Sequence, residues 1–346
     1  MFMKKIVLIL FIFSLSFSKE QGVLSSFCLS GANAQMGESI RNCAKMYFDD
    51  YNSKNKNKIK FNTFDDGFNS DIFRENILSN LGKNTFVFMP FDTANLRSIA
   101  PKIINKNIIV FSPVYTPNFL NFSVFNGVIK TFPSFDYEIE NAMKFFVDTK
   151  NLSKISIIYQ SGEHGEEAYN SLAKALINRN LSIFSSSSYK RNSNIIEPIL
   201  ENIDLNSELV VFALLDRISL EIAKKLSKKN ENIKFLFLSS VNPIYFKELK
   251  NAYVSSFSPV LKEDDELLKL YKNLLVKNNL DEKNCSYNAF LNAFLVSKIF
   301  ESLNFKDSPK NLVINRANLI INRYKFYEKQ RIIKFNGGKI EILYEN

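Results

Sequence analysis

The chain has 346 residues, 46% of them hydrophobic, with 33 Phe and few Gly or Pro, a composition that excludes disordered and collagen-like chains. The formal charge is +10, and removing Lys4 and Lys5 with the leader takes it to +8. The lysines are scattered among Asn, Ile and Phe with no basic stripe, so the charge is background and argues against a nucleic-acid partner.

Taken in chain order, Lys4 and Lys5 precede the apolar run Ile6 to Phe13, and Ser16 and Ser18 stand at −3 and −1 if cleavage follows Ser18. This is the layout of a secretory signal peptide over 1–18. The run is too short for a membrane span, which takes about 20 residues, and no Cys near the cut offers a lipid anchor. Roughly 328 residues remain, enough for two domains. Strand Gly22 to Leu29 leads through Ser30-Gly31-Ala32-Asn33 into a helix from Gly37 to Tyr51, with Ile40, Ala44, Tyr47 and Phe48 on one stripe. Lys58 to Phe64 alternates as a strand and stops at the turn Asp65-Asp66-Gly67. A helix over about 70–80, a strand Thr85 to Met89, a helix opening near Thr93 and a strand Asn107 to Phe111 follow.

The second half repeats the pattern. Strands are expected at Ile155 to Tyr159, Leu181 to Ser185, Leu209 to Leu214 and Lys234 to Leu238. Helices are expected at Glu166 to Asn178, at about Asn194 to Glu201 and at Ile218 to Lys228. Short strands alternating with helices indicate βαβ units, hence an α/β fold of two parallel sheets covered on both faces. Ligands of such sheets sit beyond the carboxyl ends of the strands. Ser30, Thr93, Thr116, Asp136, His164 and Asp216 therefore hold candidate positions.

Three Cys occur in a chain expected in an oxidising compartment. Cys28 ends the first strand and Cys43 lies on the next helix; they either bond, for about 3 kcal/mol on the chain-entropy model, or are both buried thiols. Cys285 is left over if they bond. There is no C-x-x-C, and His164 is the only His, so no metal site is expected. His164 with nearby Ser161 is a poor case for an enzyme, since neither G-x-S-x-G nor a P-loop is present. Glu163, Glu166 and Glu167 read as solvated acids at a helix start.

The stretch from Cys28 to Gly37 running on to Asn52, then Asp65-Asp66, Phe111 to Thr116, Lys130 to Ser134, Ile155 to Tyr159 with Glu163-His164-Gly165-Glu166, the helix Asn288 to Leu303 and the strand Ile332 to Phe335 with Asn336-Gly337-Gly338 together resemble the leucine/isoleucine/valine-binding family, type I periplasmic binding proteins of ABC importers. The resemblance implies two doubly wound lobes joined by a three-crossing hinge. Lobe 1 would hold 19–131 and 259–320, and lobe 2 would hold 132–258 and 321–346. It implies a periplasmic, monomeric, non-catalytic receptor without cofactor, closing on an amino acid or organic acid and delivering it to an inner-membrane ABC permease.

By the same resemblance, Thr93, Val114 and Thr116 match the donors to the ligand carboxylate, Met36 takes the place of an aromatic lid, and His164 and Asp136 match second-lobe contacts. Asp136 alternatively caps a helix. Where amino-acid binders place an acid for the α-ammonium, this chain has Ser239-Ser240-Val241-Asn242. Either Asp216 takes that role or the ligand has no ammonium, because a buried ammonium needs a counter-charge. The alternative function is a ligand-free or sensory interaction module of the same fold, such as a cell-wall synthase activator.

Overall fold

The computed structural model describes residues 21–31, 34–82, 85–105, 108–190, 193, 195–214, 216–303, 308–336 and 339–346. The expected signal peptide, 1–18, lies outside them. In the first half, strands β1 (Gln21–Phe27), β2 (Ile59–Asp65), β3 (Thr85–Phe88), β4 (Ile108–Phe111) and β5 (Val128–Ile129) form one sheet. Helices α1 (Ala34–Lys54), α2 (Ser70–Ser79), α3 (Thr93–Ser98) and α4 (Ala100–Ile104) connect them. The strand order is β2-β1-β3-β4-β5 and every pairing is parallel.

The second sheet repeats this winding. After α5 (Phe135–Met143) come β6 (Ile155–Gln160), α6 (Glu163–Ile177), β7 (Ser186–Tyr189), α7 (Glu197–Asn202), β8 (Leu209–Ala213), α8 (Asp216–Lys229), β9 (Lys234–Phe237) and β10 (Ala252–Ser256). Then α9 (Glu266–Lys277), α10 (Tyr287–Glu301) and α11 (Lys310–Tyr324) precede the strands β11 (Arg331–Asn336) and β12 (Lys339–Glu345). The parallel run is β7-β6-β8-β9-β10, the order of the first sheet, and β11 and β12 extend it antiparallel. The fold is thus the expected α/β pair of doubly wound sheets. In each sheet the order reverses once, between β1 and β3 and between β6 and β8, the positions at which such sheets hold ligands.

The middle strands of each sheet are buried on both faces, so they read as unbroken apolar runs rather than alternating ones. Phe86, Phe88, Ile109 and Phe111 face one core, and Leu24, Val87, Ile108 and Val110 face the other. The face of α1 carrying Ile40, Cys43, Ala44, Tyr47, Phe48 and Tyr51 follows the 3.6-residue period and packs in the first of these cores together with α10. Two glycines set how closely helix meets strand. A Cβ on Gly37 would collide with the Cys28 carbonyl, and one on Gly165 with the Gln160 carbonyl, so both helices that follow a first strand require Gly there.

Three expectations are corrected. The strand expected at Leu181 to Ser185 forms instead at Ser186–Tyr189, where only Ser187 and Tyr189 point inward and a serine run carries no apolar signal. The third expected boundary, 320/321, falls inside α11, because Val313, Ala317 and Ile320 continue one packed stripe and Phe326 and Tyr327 still lie in the first core. The disulfide joins Cys43 to Cys285, not Cys28 to Cys43. Gly37 is where α1 touches Cys28, and Cys43 lies six residues, or about 9 Å, further along the helix, against the segment that leads into α10.

The Cys43–Cys285 bond closes a loop with a sequence separation of 242, which on the chain-entropy model stabilises the fold by about 5 kcal/mol. Burial pushes the Cys28 thiol up to about 12, with the Asp66 charge adding to the effect. A non-reducing peptide map should therefore contain a Cys43–Cys285 cross-linked pair, with Cys28 alkylated only after unfolding. Cys285→Ser should lower the melting temperature far more than Cys28→Ser; comparable losses would show that the cross-link is not what staples α1.

Candidate functional site

The loops after β3 and β4 build the first wall. Met89, Asp92 and Ser112 all take positive φ, at 46°, 78° and 51°, a conformation uncommon for residues other than Gly that clusters at functional loops. Thr93 and Thr116 are fully buried beyond these turns, and Val114 is buried beside them. Their donors are engaged within the chain. The Thr93 hydroxyl is hydrogen-bonded to the Tyr115 hydroxyl. Val114 N–H donates to the Pro90 carbonyl at 3.1 Å. Thr116 donates through its hydroxyl to the Phe132 carbonyl and through its N–H to the Pro133 carbonyl at 3.2 Å.

The second wall comes from α5 and α6. His164 is buried in the first turn of α6, with its ring 4.3 Å from Tyr115 (centroid to centroid), 5.1 Å from Phe135 and 5.8 Å from Phe91. Phe135 stacks on Tyr115 at 4.9 Å with 16° between the planes. Tyr115, Phe91 and Thr93 from the first sheet's loops thus meet Phe135 and His164 from the second sheet's helices. Offset and edge-to-face rings at these spacings are mutually attractive. Burial holds the Tyr115 phenol well above its ordinary pKa, with the Asp92, Glu167 and Glu163 charges acting in the same direction.

Charged groups line the rim of the same seam. Arg97 of α3 pairs with Glu163 of α6, its guanidinium lying 4.3 Å over the Phe119 ring, and Asn118 N–H donates to Glu167. A cavity of about 430 Å³ opens there between Arg97, Asn118, Asp136, Glu163, Glu167 and Lys174. Asp136 lies in the first turn of α5 behind the cap residue Ser134, and it accepts from Ser171 at 2.6 Å and Lys174 at 3.0 Å. Burial works to raise its pKa, but these bonds hold it below the ordinary value. Asp136 thus ties α5 to α6.

Residues 22–216, more than half of the chain, match the family described as periplasmic binding protein. The chain belongs to that family. No curated protein matches it. Solved structures similar to it include a branched chain amino acid ABC transporter protein from Thermus thermophilus with bound valine, at TM-score 0.80 and 14% identity over 95% of this chain and 96% of that one. Another is a substrate-binding periplasmic protein from Ralstonia solanacearum, at 0.79 and 15% over 93% and 99%. A solute binding protein from R. palustris in complex with 4-hydroxybenzoate scores 0.73 at 14% over 95% and 97%. At these identities the likeness is one of fold, that of type I periplasmic binding proteins.

Two candidates of this binding protein remain. Met36 is half-buried in the first turn of α1 and packs against the first core. Asp216 opens α8, and its side chain lies outside the description. Among the described residues no group of three or more His, Cys, Asp or Glu is placed to hold a metal, and no helix is long and apolar enough to cross a membrane.

Sequence reasoning missed two residues. Tyr115 stood inside a quoted motif, yet only the fold shows its ring between the walls. Glu138 supplies a carboxylate where the stretch after β9 has none: one oxygen accepts from Ser239 N–H at 2.6 Å and the other from the Ser239 hydroxyl at 3.0 Å. Burial raises its pKa, opposed by the bonds from Ser255 and Ser239. Its only sequence signal is its position three residues after Phe135 on one face of α5.

Burial pushes Glu167 up to about 7 from 4.5, with the Asn118 N–H opposing and the Glu163 and Asp136 charges reinforcing. A carboxyl raised on folding stabilises fully below about pH 4.5, and that contribution is lost as pH rises through about 7. Melting curves from pH 4.5 to 8 should therefore show Glu167→Gln gaining on wild type as pH rises. A difference that does not vary with pH would show that Glu167 does not titrate with folding.

Proposed function

We propose that the chain is the solute receptor of an ABC importer, capturing a small carboxylate-bearing solute, an amino acid or organic acid, between the two sheets by hinge closure. The observation that carries this reading is the buried oxygen-binding position at Thr93, enclosed by groups from both sheets at their strand ends. Thr93, Val114 and Thr116 are proposed to receive the carboxylate, with His164 closing from the other side and Met36 from α1. Three solved neighbours are described with valine, 4-hydroxybenzoate and benzoate, all carboxylates. The receptor is proposed to be secreted, monomeric and non-catalytic, and to hand its solute to an inner-membrane permease.

The hinge is proposed to lie where the chain passes between the sheets, around 130–134, 257–265 and 325–330. These segments support one another. Phe132 lies 4.8 Å from Tyr327, and Gln330 donates to the Glu138 carbonyl at 2.9 Å and to Ser255 at 3.0 Å. Closure would pivot on them. Both Glu138 oxygens are already held by Ser239, which favours a solute without an α-ammonium unless Asp216 provides the counter-charge.

One observation favours a second reading, a ligand-free interaction module: the aromatic rings fill the space between the walls, and the Thr93, Val114 and Thr116 donors all have partners within the chain. A thermal-shift screen against amino acids, organic acids, amides and short peptides separates the two. A ligand at 100 times its dissociation constant adds about 2.7 kcal/mol of stability. Thr93→Val should weaken a carboxylate hit by about 2 kcal/mol, the loss of one hydrogen bond to a charged group. A flat screen on folded protein carrying no co-purified solute would overturn the receptor reading.

A further inference from the structure

The space between the walls holds a six-membered ring with an oxygen at one end, and that ring is the chain's own. Tyr115 is 1% exposed, stacked on Phe135 at 4.9 Å and met edge-on by His164 at 4.3 Å, with Phe91 edge-on at 6.5 Å. Its oxygen is held by the hydroxyl of Thr93. The walls do not depend on Tyr115 to meet. Phe91 and His164 are in ring contact across the seam.

Resting on the receptor reading above, we infer that Tyr115 stands in the solute's place, and that the solute class is an aromatic ring bearing an oxygen at one end, which enters as Tyr115 leaves. The reason is complementarity. A flat ring recovers the stacking on Phe135 and the edge contact with His164, and its oxygen recovers the bond to the Thr93 hydroxyl; a branched aliphatic side chain recovers neither. The same geometry explains why the Thr93 hydroxyl is not left unsatisfied when no solute is present, an arrangement that would otherwise be costly in a buried place.

The test removes the internal ring and offers it back as a molecule. Wild type, Tyr115→Ala, the milder Tyr115→Val and Tyr115→Phe are titrated with p-cresol, toluene and valine by calorimetry and melting temperature, with circular dichroism confirming the fold. Tyr115→Ala, or Tyr115→Val if the alanine variant does not fold, should bind p-cresol at least tenfold more tightly than wild type and at least tenfold more tightly than toluene. Adding Thr93→Val should remove that gain, and Tyr115→Phe should show none of it. A folded Tyr115→Ala or Tyr115→Val that binds p-cresol no better than wild type, or prefers valine, overturns the inference. The two readings fail separately. Wild type that binds no solute in the screen, with the p-cresol gain intact, keeps the inference about the ring's place and sinks the receptor. Wild type that binds valine tightly, with no gain for rings in the variants, keeps the receptor and sinks the inference.

Discussion

The constraint on which the structure turns is that the carboxyl ends of two parallel sheets face one another, and the polar groups left there must find partners. Each sheet reverses its strand order once, and each reversal opens a crevice lined with backbone donors. In this protein the two crevices share one filling, the Tyr115 phenol. It satisfies Thr93 on the first side and stacks on Phe135 on the second. The left-handed residues Met89, Asp92 and Ser112 lie in the loops that carry Phe91, Thr93 and Tyr115. Backbone strain and aromatic packing are therefore concentrated in the same few residues, and the second tends to offset the first.

The rest of the molecule holds those loops still. The first sheet is clamped between two apolar cores, and the Cys43–Cys285 bond secures α1 to the segment entering α10. Gly37 and Gly165 place α1 and α6 directly over the ends of their strands, so that His164, next to Gly165, is carried into the seam. On the rim the contacts are of another kind. The Arg97–Glu163 pair and the Asn118–Glu167 bond cross between the sheets at partly exposed positions, where an ion pair contributes little to stability.

The winding itself was legible in the sequence. Runs such as Phe86 to Phe88 and Leu209 to Ala213 read as strands buried on both faces, and the apolar stripe of α1 was plain. These signals survive because burial on two faces leaves no freedom for polar residues. Where burial is partial the signal faded: the serine-rich β7 at a sheet edge was displaced by several residues.

What the sequence by itself determined, then, was the alternation of strand and helix, the parallel sheets that follow from it, and the loops that must carry a site. Tertiary structure alone decided which side chains meet across the chain. Cys43 pairs with a residue 242 positions away, and Glu138 reaches Ser239, 101 positions further along. Tyr115 lies between Phe135 and His164. Periodicity records which face of an element is buried, but not which other element buries it, and no local pattern marks a tyrosine that fills its own protein's cleft.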